Sequence, residues 1–171
     1  MALDIFLSIP GIPGESGDNT FKGTIVTPSY AWSLANAATI SSSGGGGSGK
    51  AVFMPLTIEK QVDSSSPLLM RALAQGRMIA SMTLVLRATM GGSSHAAPFL
   101  VYQFQKVLVA ALQESGSVDS DGAPTEAVTF TFGIYQLRYR TTNPDGSLSL
   151  KPITSAWNEL TNSLPKGPAP R

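Results

Sequence analysis

The sequence predicts a mainly β fold, one antiparallel β domain with a single α-helix. Three observations carry this reading. Apolar residues recur at every second position through several long runs, the period of a half-buried strand. Seventeen Gly and twelve Pro punctuate the 171 residues and leave few stretches for long helices. One segment alone, residues 67–75 from Pro67 to Gln75, combines helical spacing with helical end signals. The length suits one domain with its own core. Residues 1–150 are assigned to that domain, and residues 151–171 to a C-terminal segment ending in a proline-rich tail.

Residues 4–9 read as a first strand, closed by the turn formers Pro10, Pro13 and Gly14. Residues 24–34 form a second strand interrupted by Pro28, as at an edge or a bulge. The run from Ser41 to Gly49 contains only Ser and Gly and predicts a flexible loop. Residues 51–62 resume a strand with Val52, Met54, Leu56 and Ile58 on one face. The helix follows. Ser66 is a suitable N-cap, Pro67 costs no hydrogen bond at the first helical position, and Gly76 suits a left-handed C-terminal cap. Its apolar stripe of Leu68, Leu69, Ala72 and Leu73 is expected to lie against a sheet.

After the helix, Met82, Leu84 and Leu86 alternate with Ser81, Thr83 and Val85. Residues 99–112 at about 3.3 Å each would span roughly 46 Å, longer than an ordinary strand. Such a strand must bend between two packed sheets or around a barrel. In residues 125–140, Val128, Phe130, Phe132 and Ile134 face one way and Thr129 and Thr131 the other. Past Gly133 the apolar set changes phase to Tyr135, Leu137 and Tyr139, which predicts a bulge near Gly133. Residues 143–146 form a turn, and residues 164–171 are expected to be a mobile tail.

Composition excludes much chemistry. Cysteine is absent, so disulfides, thiolate metal sites and catalytic thiols are excluded, and the one histidine, His95, rules out a histidine-rich metal site within one chain. Twelve Lys+Arg against eleven Asp+Glu give no electrostatic case for nucleic acid. Only 13% of residues are charged, where about 25% is usual, which points to Ser, Thr and Gly surfaces or to surface hidden between subunits. Residues 1–9 lack a basic n-region and carry Asp4, so no cleaved signal peptide is expected and the chain is read as made in the cytoplasm. No run reaches the length of a membrane-spanning helix. An outer-membrane barrel, which needs aromatic girdles, fits poorly with 8% aromatics.

The remaining motifs carry little. Residues 44–50 fit G-x-x-x-x-G-K, yet Ala51 follows Lys50 in place of the magnesium-binding Ser or Thr, and a strand with Pro55 replaces the required helix. His95 lies in a turn-like Gly-Gly-Ser-Ser-His stretch and reads as an exposed loop residue. Glu114, Asp119 and Asp121 lack the ligand order of a calcium loop. Trp32 and Trp157 read as core or interface anchors.

Several stretches, in order, resemble the haemolysin-coregulated protein (Hcp) family of type VI secretion. Residues 4–16, D-I-F-L-S-I-P-G-I-P-G-E-S, resemble its first strand and G-E-S turn; Ala31-Trp32-Ser33 resembles its A-W-S strand; the glycine run ending in Gly49-Lys50 resembles its extended loop. Leu56, Ile58, Lys60, Asp63, Ser66, Pro67 and Leu69 reproduce L-x-[FI]-x-K-x-x-D-x-x-S-P-x-L. Lys106-Val107-Leu108-Val109, then Glu126, Val128, Phe130, Phe132 and Tyr139, then Asp145-Gly146 follow in family order.

The resemblance implies a compact β-barrel of two packed antiparallel sheets with one flanking α-helix, assembling as a hexameric ring. Such rings stack into a hollow tube that a contractile sheath expels, with spike and baseplate components as further partners and effector proteins as cargo in the lumen. It implies no enzyme, no cofactor, no metal, no nucleic acid and no membrane insertion, and delivery through the secretion apparatus. By position, Ser33 would face the lumen and contact cargo. Ser42, Ser43, Gly44, Gly45, Gly46, Gly47, Ser48, Gly49 and Lys50 would form the ring-stacking loop, and Lys60 and Asp63 would be structural or subunit contacts. A phage tail-tube-like protein shares this fold. The strand pattern alone equally allows a monomeric β-barrel that binds a small ligand, and a phosphate-loop enzyme is the third reading.

Overall fold

A computed structural model of the chain describes residues 2–36, 39–40, 46–47, 49–89, 97–117, 123–143, 145 and 147–165. One long strand, β10 (Pro98–Ser115), organises it. The elements before it are β1 (Ala2–Ser8), β2 (Ile25–Val26), β3 (Ser29–Ala31), β4 (Leu34–Asn36), β5 (Thr39–Ile40), β6 (Gly46–Gly47), β7 (Ala51–Phe53), β8 (Leu56–Gln61), α1 (Ser66–Ala74) and β9 (Ile79–Thr89). Those after it are β11 (Thr125–Thr131), β12 (Ile134–Tyr139) and β13 (Ile153–Asn158).

Up to Val107, β10 pairs with β9 on one side and β12 on the other; from Leu108 it pairs with β11. The change comes just after Lys106, whose φ of 55° is left-handed, a costly conformation for a lysine that turns the strand from one sheet into the next. The first sheet therefore runs β2–β1–β9–β10–β12–β13 and the second β10–β11–β8–β3, all antiparallel. Among the described residues the order ends at β2 and β3 without closing, so the expected barrel is an open pair of sheets sharing one bent strand. The predicted bulge at Gly133 is the matching corner between β11 and β12. There the Gly133 N–H donates to the Gln105 carbonyl at 3.1 Å, and the Gly133 carbonyl accepts from Glu159 N–H at 3.0 Å.

The core lies between the sheets. Leu7, Met82, Leu84 and Phe104 meet Leu56, Ile58, Val128 and Phe130, all fully buried. Each such side chain contributes on the order of 1.5–3 kcal/mol by leaving water. Trp32 closes one end, edge-on to Tyr102, Phe104, Phe132 and Tyr135 with ring centroids 5.1–5.7 Å away. Burial, and next the hydrogen bond with Tyr30, push the Tyr102 phenol well above its ordinary pKa.

Several sequence expectations change in detail. The second strand is divided into β2, β3 and β4, around Pro28 and again at Trp32-Ser33. The single face expected over Val52, Met54, Leu56 and Ile58 breaks at Pro55, which has no N–H to give a ladder. Val52 and Met54 are 45% and 42% exposed, whereas Leu56 and Ile58 are fully buried. The helix begins at Ser66, with Ser65 at the cap position. It ends with Gly76 at φ +56°, where Gly76 N–H bonds the Leu73 carbonyl and Arg77 N–H the Ala72 carbonyl. In the glycine run, Gly46–Gly47 pairs with Thr39–Ile40, since backbone hydrogen bonding needs no apolar side chain. Of the turn expected at 143–146, Asn143 and Asp145 are described, and Asn143 N–H donates to the Ser147 carbonyl at 2.7 Å; Pro144 and Gly146 lie outside the described residues. His95, Asp119, Asp121 and the tail residues 166–171 lie outside the described residues.

Candidate functional site

Alternation along the second sheet divides its residues sharply between two faces. Inward go Tyr30, Leu56, Ile58, Lys60, Glu126, Val128 and Phe130. Outward go Ser29 and Ala31 from β3, Thr57, Glu59 and Gln61 from β8, and Thr125, Ala127, Thr129 and Thr131 from β11. Gln113 and Ser115 continue that face onto β10, across from Ala127 and Thr125. The outward face is thus built of hydroxyls, amides and methyls. The Ser29 hydroxyl donates to Glu59 Oε2 at 2.8 Å, and the Thr57 and Thr129 hydroxyls bond each other at 3.1 Å.

Ser33 continues the exposed parity of Ser29 and Ala31, and its carbonyl accepts from Met54 N–H at 3.1 Å. It stands where β3 gives way to β4, at the root of the β4–β7 hairpin that carries the glycine run. Lys50 is exposed and leads directly into β7, so the helix N-terminus that a phosphate loop requires is not formed there. Gly46, Gly47, Gly49 and Lys50 are described; Ser42, Ser43, Gly44, Gly45 and Ser48 lie outside the described residues.

Lys60 and Asp63 belong to a different place. Lys60 sits on the buried parity of β8, 1% exposed, beneath the outward face. Its ammonium lies 2.8 Å from Asp63 Oδ1 and 3.1 Å from Glu126 Oε2, and donates to the Gln61 carbonyl at 2.8 Å and Ser66 Oγ at 2.9 Å. Ser66 Oγ also accepts from Asp63 N–H at 3.0 Å, and Asp63 accepts from the backbone N–H and hydroxyl of Ser65. This network ties the start of α1 to β8 and β11. The K-x-x-D-x-x-S-P spacing has its physical account here: each polar residue answers another around one buried cation. Sequence reasoning did not pair Glu126 with Lys60. The signal was available, because Glu126 precedes Val128 and Phe130 on the buried parity, as Lys60 follows Leu56 and Ile58.

A second polar junction pins residues 16–24 against the first sheet. The Arg87 guanidinium donates to Asp4 Oδ2 at 2.8 Å and Asp18 Oδ2 at 2.7 Å, and lies over the stacked Phe6 and Phe21 rings. The bond from Arg87, and next the Phe21 N–H, hold the Asp18 carboxyl down at a pKa of about 2. These two networks fasten the fold.

Known proteins share this architecture along almost the whole chain. The family model described as type VI secretion system effector, Hcp, matches residues 6–139. Protein hcp1 of Pseudomonas aeruginosa is 31% identical over 158 residues, 92% of this chain and 96% of that protein. The solved structure of a type six secretion system protein matches with a TM-score of 0.87 at 27% identity, covering 95% of this chain and 99% of that one. The crystal structure of Hcp1 from Salmonella typhimurium matches at 0.76 with 30% identity, covering 96% and 99%. The family model spans most of the strands of both sheets, the relative is 31% identical over 92% of the chain, and the chain belongs to the Hcp family of type VI secretion system effectors.

Proposed function

We propose that this chain is the repeating subunit of a type VI secretion tube, forming hexameric rings that stack around a hollow lumen, and that it acts without catalysis. The observation that carries this reading is the second sheet. Its outward face is polar, built from small residues, and has Glu59 as its single charged side chain among the described strand residues. Its two lateral edges, β3 and the later half of β10, have no ladder partner among the described residues beyond β8 and β11. Copies set side by side would satisfy those edges and turn the polar face into a continuous wall. Low overall charge supports the same picture, since ring and tube contacts replace water on many surfaces.

In this assembly Ser33 lines the wall and meets cargo, and Ser42 to Lys50 form the loop that reaches the next ring. The exposed Leu34, Val52 and Met54 at the hairpin base support that second role, because stacking would cover them. Lys60 and Asp63 serve the subunit's interior. The tube would be assembled in the cytoplasm and expelled by a sheath, with spike and baseplate as partners at its ends and effectors inside. Negative-stain imaging of the purified protein tests the proposal: annular particles are expected, and uniformly small, solid particles at high concentration would refute it in favour of a monomeric ligand-binding module.

A further inference from the structure

We propose that Glu59 forms a subsite for a cationic side chain, arginine above lysine, presented by polypeptide cargo. The inference deepens the tube reading and rests on it for the identity of the occupant; the subsite itself lies within one subunit. A cleft of about 390 Å³ crosses the outward face of the second sheet, with Pro28, Gln61, Gln113, Ser115 and Thr125 around Glu59; Lys60 and Glu126 also line it, with no exposed side-chain surface. Ser29 holds one carboxylate oxygen at 2.8 Å and so fixes the group's orientation at the cleft. The ion pairs among the described residues join Lys60 to Asp63 and Glu126, and Arg87 to Asp4 and Asp18; none engages Glu59.

A carboxylate held at a cleft with no cation paired to it among the described residues is complementary to a cation. The surrounding amides and hydroxyls add acceptors for the further N–H groups of a guanidinium, which a lysine ammonium would use less fully. Lys60, the next residue, does not oppose this: its side chain points to the other face, and its charge is answered there by two carboxylates. The cleft is open, so one contact is weak. Repetition of Glu59 around a ring would strengthen the hold on a cargo with several basic side chains.

The test uses the full-length protein with an acetylated, amidated hexa-arginine peptide, compared with hexa-lysine and hexa-glutamate, by fluorescence anisotropy in low salt. Hexa-arginine should bind most tightly, and Glu59→Gln should weaken it by about five- to tenfold. The control Glu114→Gln, which removes an exposed carboxylate from the opposite parity of β10, should leave binding unchanged. Binding unaffected by Glu59→Gln, or equal losses in both variants, would overturn the subsite. Light scattering on the same samples separates the two ideas. Rings with Glu59-independent binding would leave the tube and remove the subsite, whereas Glu59-dependent binding by protein that never assembles would keep the subsite and remove the tube.

Discussion

The Lys60 ammonium and the Glu126 carboxylate meet at 3.1 Å with both side chains fully enclosed, on paired positions of β8 and β11. A cation enclosed in this way contributes more to specifying where α1 docks than to net stability, because desolvation offsets much of the attraction. Among the described residues, Glu126 Oε1 has no hydrogen-bond partner.

Removing the cation alone should be costly. Lys60→Met leaves Asp63 and Glu126 facing each other without compensation and is expected to lower unfolding free energy by about 3–5 kcal/mol. The double variant Lys60→Met/Glu126→Leu should recover much of that loss. Urea denaturation of the two variants checks this, and a loss below about 1 kcal/mol in the single variant would contradict the role given to Lys60.

Two glycines should respond differently to a methyl group. At Gly14 an added Cβ would meet the Ile25 Cα and the Thr24 carbonyl oxygen at 2.6 Å, both backbone atoms that cannot step aside. At Gly133 it would meet the Leu160 side chain at 2.8 Å, and that side chain is exposed and can turn away. Gly14→Ala is expected to cost about 3 kcal/mol and Gly133→Ala less than about 1 kcal/mol, read from denaturation midpoints.

Asp18 predicts an acid-sensitive junction. Its carboxyl is held at about 2, below the ordinary 3.8, because Arg87 and backbone N–H groups bind the ionised form. A lowered native pKa stabilises the fold above the unfolded value, and that contribution fades as pH falls from about 4 to about 2. Stability measured across this window should decline more steeply in the wild type than in Asp18→Asn. Parallel declines would show that the carboxylate contributes nothing there.

Deleting residues 42–49 should leave the two sheets and the rings intact while weakening ring stacking, since the core side chains among the described residues come from other segments. Sedimentation velocity would show rings without longer tubes. Unfolding of the deletion variant would mean that the loop supports the subunit itself.

Alternation made most of this structure legible from sequence. Met82, Leu84 and Leu86 and Val128, Phe130 and Phe132 were assignable to the core because a strand has only two faces. Gly76 marked the helix end because only glycine takes its φ of +56° freely. The sharing of β10 between sheets was foreseeable from its length, but the corner was not, because a left-handed lysine such as Lys106 leaves no compositional mark. The break at Pro55 was readable and outweighed by an apparent alternation that in fact spans two separate strands. Lys60 and Glu126 each stood out as charged residues on an apolar parity, yet their pairing needed the register between β8 and β11, which local sequence does not encode. The face around Ser33 and Glu59 was hidden for the same reason, being assembled from four separate segments.

The central claim is assembly of identical copies, and light scattering coupled to size-exclusion chromatography at rising concentration measures it most directly. The account predicts a hexamer mass, with larger species as rings stack. A single species at the 17.9 kDa of one chain across the whole range would contradict it.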